Sequence, residues 1–407
     1  MSMDEKTIMK LRLEIAAIFA LGTITSSCGG GSDAPPGDGG IDAGVDAGDT
    51  DTGSDTETAA VPPSGHWEEA PPLLGERDAL AIYVDADGAV WAFGGRDQEY
   101  VPQRTVQLLV PGDDAWIFEA NLVERRSFYV VFPLDDGDTL HVGGFGNGGT
   151  LANAETYGST ATPYAMSSRH ELYSGTRLGD GRFFVSGGYV GNTNTSSASG
   201  EVSAGGAFAL AGYMDEPRQG HSTLTLPDGS ALVCGGWCVQ LGTALATCER
   251  FDPATDSFEA AAPMNAARYR HTATVLADGT TLVTGGQGAD GVQLDTAEIY
   301  DPWSGAWTLL DSTLSDPKMD HTATLLADGS VLVVGGFSGE GGGATVASAD
   351  GFFPADGSFY PLPDMTIDRH EHAAALLPDG SVLVVGGMTW PADVRLTSVE
   401  RFVPDNY

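Results

Sequence analysis

Seven times between residues 87 and 387 the chain writes Asp-Gly and, a few residues on, Gly-Gly. The first glycine of each pair is Gly94, Gly143, Gly187, Gly235, Gly285, Gly335 and Gly386, at spacings of 44 to 51 residues. Six positions before each stands Gly88, Gly137, Gly181, Gly229, Gly279, Gly329 or Gly380, always preceded by Asp. Residues 321–336, HTATLLADGSVLVVGG, are the clearest copy. Asp-Gly supplies the positive φ of a two-residue hairpin turn, so the flanking apolar runs should pair antiparallel. Val331–Val334 and Val382–Val385 are too short and too β-branched for a helix. Each glycine pair lets backbone pass where a Cβ would clash. A third strand follows in each copy (residues 297–302, AEIYDP), then a fourth around Trp307, Phe258 or Phe359. Four strands in a period near fifty residues make one blade of a propeller.

The unit resembles a kelch repeat of the kelch and galactose-oxidase propeller superfamily. The glycine pair, the apolar run before it, the upstream basic residue and the spaced aromatics of the outer strands carry the likeness, from Trp67 to Tyr407. It implies an all-β, seven-bladed kelch-type β-propeller with four antiparallel strands per blade. The chain ends on a third-type strand, 397–402, and its folded part starts on an orphan fourth-type strand with Trp67. The N-terminal strand is therefore expected to complete the last blade and remove an open edge.

Residues 1–27 read as a lipoprotein-type signal peptide. A basic start at residues 9–12 precedes an apolar run, 15–24, too short to span a bilayer, and then Thr25-Ser26-Ser27-Cys28. Cys28 followed by glycines resembles a bacterial lipidation site, although Thr25 stands where such sites carry Leu; a secreted protein with a chance cysteine is the alternative. Residues 28–65 read as a disordered tether, with eight acids from residue 29 on and no base. The propeller, 66–407, is itself acidic. The whole chain carries −37 and Lys318 is the only lysine after residue 65. That argues against nucleic acid or anionic lipid as partner. Membrane contact is expected only through the lipid, localisation in the cell envelope, and a monomer.

Seventeen positions before each glycine pair stands Arg77, Arg126, His170 (beside Arg169), Arg218, Arg268, Lys318 or Arg369. Three residues on, the last four repeats have His221, His271, His321 and His372. Two uses compete: side chains that tie each inner strand to the loop of its neighbour, as in kelch repeats, or a cationic ring at the channel mouth that holds an anionic ligand such as a carboxylated sugar. Because the pattern repeats, the architectural use is preferred. Candidate contacts for a partner are the aromatics after the glycine pairs, Tyr189, Trp237 and Phe337, with Trp390 nearby. Cys238 and Cys248 bracket one loop and are the expected disulfide, with Cys234 a buried thiol; no metal site or cofactor is assigned.

The galactose-oxidase resemblance would imply copper held by two Tyr and two His with a Tyr-linked Cys. No set of residues here matches, so that activity is not carried over, and no catalytic residue is assigned. The function expected is an exported, lipid-anchored kelch-repeat module presenting its loop face to a protein or carbohydrate. The alternative is a carbohydrate-active enzyme at the channel mouth, with Arg126, Arg218, Arg268 and Arg369 orienting an anionic sugar.

Overall fold

The computed structural model describes residues 64–158, 163–191, 193–339 and 343–405. The expected signal peptide, Cys28 and most of the expected tether lie outside them. Among the described residues every regular element is a strand. Five sheets have four antiparallel strands each, and four of these keep sequence order, spanning 81–121, 222–261, 272–309 and 322–362. In the fifth, Gly65–Ala70 lies beside Val399–Pro404, which pairs in turn with Val382–Val385 and Ala373–Leu376. The register sets Trp67 opposite Phe402, and their ring centroids are 5.2 Å apart.

Residues 130–218 form one larger sheet of nine strands. Its two halves meet at a single parallel bridge, Ala165 to Ala207. Here the short strands expected from the repeat give way to Thr195–Ala204 and Ala207–Arg218, joined at Gly205-Gly206, both with positive φ.

The Asp-Gly turns differ from the two-residue type expected. Gly229 N donates to Leu226 O and Leu226 N to Ser230 O, so Leu226–Gly229 is a turn followed by a bulge. Glycine takes the left-handed position (φ 86°) while Asp228 accepts the Ser230 N–H on its side chain. That is the three-residue hairpin, in which only the last loop residue needs positive φ. The glycine pairs have a steric reason of their own. At Gly335 (φ 65°) a Cβ would sit 2.6 Å from the carbonyl oxygen of Arg369 in the next repeat.

Apolar side chains from facing sheets fill the gaps between them. Leu276, Leu282 and Leu314 pack against Val331, Val333, Phe352 and Phe359 of the next sheet. The residues buried on both faces are those that read as unbroken apolar runs.

The disulfide is a correction. Cys234 bonds to Cys248, and Cys238 is a buried free thiol. Cys234 and Cys248 stand directly opposite each other on adjacent strands, with Cα atoms 4.2 Å apart. Cys238 lies beyond the glycine pair in another hairpin, opposite Thr243.

Candidate functional site

The repeated basic residues are buried and occupied. Arg268 donates to the carbonyls of Gly285 (2.7 Å) and Thr296 (3.1 Å) and to Glu298 Oε1 (2.7 Å). Arg126, Arg218 and Arg369 make the same set with Gly143, Gly235 and Gly386 and with Glu155, Glu249 and Glu400. Lys318 reaches Ser348 and Asp350. Arg77 bonds Gly94 O and Thr105, but Gln107 stands where the other repeats have a carboxylate, and burial lowers its pKa to about 10. These guanidinium bonds stay within one repeat. The link to the neighbour runs through the backbone: Gly95 N donates to Arg126 O, Gly236 to Arg268, Gly286 to Lys318, Gly336 to Arg369 and Gly387 to Arg77.

The carboxylates were missed in the sequence. Each accepts backbone N–H groups of the loop that precedes its arginine as well as the arginine itself, as Glu400 does from Thr366 and Ile367. The signal was present: an acid recurs in the third strand of six repeats, as in NAETY, CERFD, AEIYD and VERFV.

The histidines bridge repeats. His321 Nε2 lies 3.0 Å from Thr272 Oγ1 and 2.9 Å from Thr284 Oγ1 of the repeat before. His221 meets Ser186, His271 meets Ser222 and His372 meets Thr322. Burial, with the neighbouring basic side chain adding to it, holds all four well below the usual histidine range, His271 at about 3. They are neutral near pH 7. The cationic ring offered as a ligand site is thereby removed, since its arginines are buried and paired and its histidines uncharged.

Residues just after the basic positions line the axis. Ala79, Phe128, Leu172, Arg270, Asp320 and Glu371 all have φ between 48° and 62°, with Gly220 at 56°. Their backbones join around the axis: Ala79 N to Glu371 O, Glu371 N to Asp320 O, Asp320 N to Arg270 O, Arg270 N to Gly220 O and Gly220 N to Leu172 O.

On this ring the repeat breaks. One side is apolar: Ala79, Phe128, Leu172, Ala244 and Tyr269, with Tyr189 and Trp237 packed against them. Trp237 and Tyr269 have ring centroids 5.3 Å apart. The other side is charged and buried. Arg96 grips Asp78 through two bonds (2.9 and 2.8 Å) and Glu371 through a third (2.8 Å). Arg395 bonds the same Asp78 and Asp393, and its guanidinium lies 3.8 Å from the Tyr100 ring centroid. Arg270 pairs with Asp320. Among the described residues, Arg96 Nη1, Arg395 Nη2, Glu371 Oε1 and both nitrogens of His370 are buried without a hydrogen-bond partner. Burial raises Glu371, and it raises Glu171 to about 8 against the opposing pull of Arg96. A surface groove of about 450 Å³, lined by Glu76, Gln98, Val394 and Arg395 among others, runs beside the cluster.

Of the aromatics proposed from sequence, Tyr189 and Trp237 join the apolar side. Phe337 contacts His370 (centroids 5.7 Å apart), and Trp390 accepts the Thr345 N–H on its carbonyl while its own N–H donates to the Thr345 hydroxyl. Asp78, Arg96, Glu171, Arg270, Glu371 and Arg395 were not singled out. What marks them is that they differ from repeat to repeat at fixed positions.

Four-stranded antiparallel sheets joined at their inner strands define a propeller. The Kelch motif matches residues 220–265 and 267–312, within two of the four-stranded sheets and the turns beside them. Among solved structures, a fungal alcohol oxidase of the AA5 family, in complex with copper, superposes with a TM-score of 0.66 at 18% identity. The match covers 84% of this chain and 76% of that one. At that identity the likeness concerns fold. No curated protein matches the chain.

Copper does not fit the residues present. Among the described residues no three His, Cys, Asp or Glu side chains are placed to hold a metal ion. The repeated histidines already bond hydroxyls, two of the thiols are joined, and Cys238 is buried.

Proposed function

We propose that this protein is an exported, lipid-anchored binding module: a closed ring of seven blades on an acidic tether, presenting its loop face to a protein or carbohydrate partner. Reading residues 130–218 as two blades fused at one bridge supports the count of seven. Closure is supported by Gly387 N donating to Arg77 O, by Ala79 N donating to Glu371 O, and by the Trp67 strand lying beside the last one.

The observation that carries the binding role is that the repeat breaks on one face. Clamps recur from repeat to repeat, whereas the residues beside them form an apolar half and a charged half. Tyrosine and tryptophan on a rigid surface are among the usual anchors of recognition, and Tyr189 and Trp237 are part-exposed there. Export and anchoring are tested by expressing the full chain with and without Cys28→Ser. Loss of labelled palmitate and of membrane association is expected for the variant; a wild-type chain without lipid overturns the anchor. Binding is tested with a glycan array and a crosslinking pull-down, in which Tyr189→Ala or Trp237→Ala should lose the partner captured by wild type. A partner captured equally by both variants overturns the choice of face.

One observation favours a second reading, a carbohydrate-active enzyme at the mouth. Glu171, raised to about 8, is a carboxylic acid that keeps its proton near neutral pH, as a general acid must. The arginines first assigned to substrate take no part, being clamps. Any glycan turned over by wild type should be turned over at least about a hundredfold more slowly by Glu171→Gln; unchanged turnover ends this reading.

A further inference from the structure

One clamp carries an imidazole where the others carry a guanidinium or an ammonium. In the third repeat the basic position is His170, and its carboxylate is Glu201, 1% exposed. His170 Nε2 lies 3.4 Å from Glu201 Oε1, and the Ser168 hydroxyl touches both, donating to the carboxylate and accepting from the imidazole. Ser167 N donates to the second carboxylate oxygen at 3.0 Å. Arg169 does not substitute for the missing guanidinium; its side chain turns away to the carbonyl of Thr150. Among the described residues Glu201 therefore has only an imidazole as its ion-pair partner. A guanidinium keeps its charge at any physiological pH, whereas an imidazole is the side chain that changes charge near neutrality.

The groups that face His170 are few. Glu201 and Ser199 come from the Thr195–Ala204 strand, Ser199 Oγ lying 3.3 Å from Nε2. Tyr173, on its own segment, has its ring centroid 6.4 Å away and feels Arg126 of the preceding repeat together with Glu201. Gly144 of that repeat donates its N–H to His170 O. From the following repeat, Arg218 accepts the Gly188 N–H on its carbonyl and His221 lies against Gly187. Glu171, next in sequence, directs its carboxyl toward Gly191. Among the described residues His170 Nδ1 has no hydrogen-bond partner, so the ring meets its neighbours through Nε2.

We propose that His170 and Glu201 form a pH-sensitive clamp that sets the order of the segment 193–199 on the axial face. With the imidazole protonated, the pair matches the Arg–Glu clamps of the other repeats and pins the base of the strand. Ser199 sits at that base, its carbonyl accepting Gly187 N and its hydroxyl facing the imidazole. The strand is already irregular there, with a register shift between Ser197 and Ser199. Loss of the proton leaves Glu201 charged and buried with hydroxyl and amide donors only, and the clamp loosens. The device rests on the third repeat alone, so it does not depend on lipidation or on the nature of any partner.

Hydrogen exchange of the full chain, read by mass spectrometry at pH 5.5 and pH 8.5 and corrected for intrinsic chemical rates, tests this. Protection of residues 195–204 should fall at least about fivefold from the lower to the higher pH, relative to Cys248–Asp252 in the next repeat. His170→Arg should abolish the difference by making the cation permanent. Glu201→Gln should abolish it by removing the charge that needs one, and it serves where the bulkier arginine prevents folding. Equal protection of the two segments at both pH values overturns the clamp. So does a pH difference that persists in whichever variant folds.

Discussion

Arg96 and Asp78, eighteen residues apart in sequence, meet in a two-pronged ion pair (2.9 and 2.8 Å) with both side chains wholly buried. The pair joins the two ends of the first inner hairpin, and through Glu371 and Arg395 it reaches the last repeat. Removing Arg96 takes from Glu371 its bonded cation and leaves Asp78 with Arg395 alone in a low-dielectric interior. Arg96→Met should therefore cost about 3–5 kcal/mol in denaturant unfolding, and the double variant Arg96→Met/Asp78→Leu should recover part of that loss. Additive losses in the double-variant cycle would show that the two side chains do not depend on each other.

Glu171 gives the fold an acid preference. Its carboxyl is raised to about 8 by burial, above its value in an unfolded chain, so the folded state holds the proton more tightly. The stability this contributes is fully present below about pH 4.5, where the unfolded group is also protonated, and is lost as pH rises through about 8. Melting temperature should fall between pH 5 and pH 9, and Glu171→Gln should flatten that fall. An identical slope in the variant would assign it to other groups.

Much of this architecture is legible in the sequence because it is periodic. Glycine pairs, apolar runs and the basic residues recur at fixed offsets, and each recurrence has one steric or hydrogen-bonding cause. The axial cluster is not legible in that way. Asp78, Arg96, Glu371 and Arg395 come from opposite ends of the chain, and only the meeting of the first and last repeats brings them within bonding distance. The disulfide was misread for a related reason. Loop proximity suggested Cys238 with Cys248, whereas strand register sets Cys234 against Cys248. For the basic residues the side-chain target was misread, since a guanidinium reaching back to its own glycine pair cannot be told from one reaching a neighbour by spacing alone.

The cysteines separate by chemistry. Non-reducing peptide mapping should recover a peptide linking Cys234 to Cys248, with Cys238 alkylated only after unfolding. The closed loop is short, so reduction should cost about 3 kcal/mol. A Cys238–Cys248 peptide would contradict the register of these strands.

Clamp chemistry can be graded by substitution. Lys318 fills its position with an ammonium bonded to Ser348 and Asp350, so one repeat already works without a guanidinium. Arg268→Lys should then be milder than Arg268→Ala, which leaves Glu298 buried and unmatched and should cost about 3–5 kcal/mol. Equal losses would mean that the bonds to Gly285 and Thr296, which a lysine reproduces only in part, dominate over charge.

Trp67 tests the seam between the two ends of the folded chain. Its ring packs on Phe402, its indole N–H donates to Pro363 O at 2.7 Å, and its strand pairs with Val399–Pro404 over six residues. Trp67→Ala removes the aromatic contact and the indole bond but leaves the backbone ladder, so a loss of about 2–4 kcal/mol is expected. Inserting proline at Glu68, opposite Arg401, takes away a donor from the same strand without touching the Trp67 ring. If the seam holds the sheets together, both changes should lower the unfolding midpoint of the whole domain in a single transition. A variant that frays only at residues 65–70, with the rest melting as in wild type, would show that the strand covers an edge without locking it.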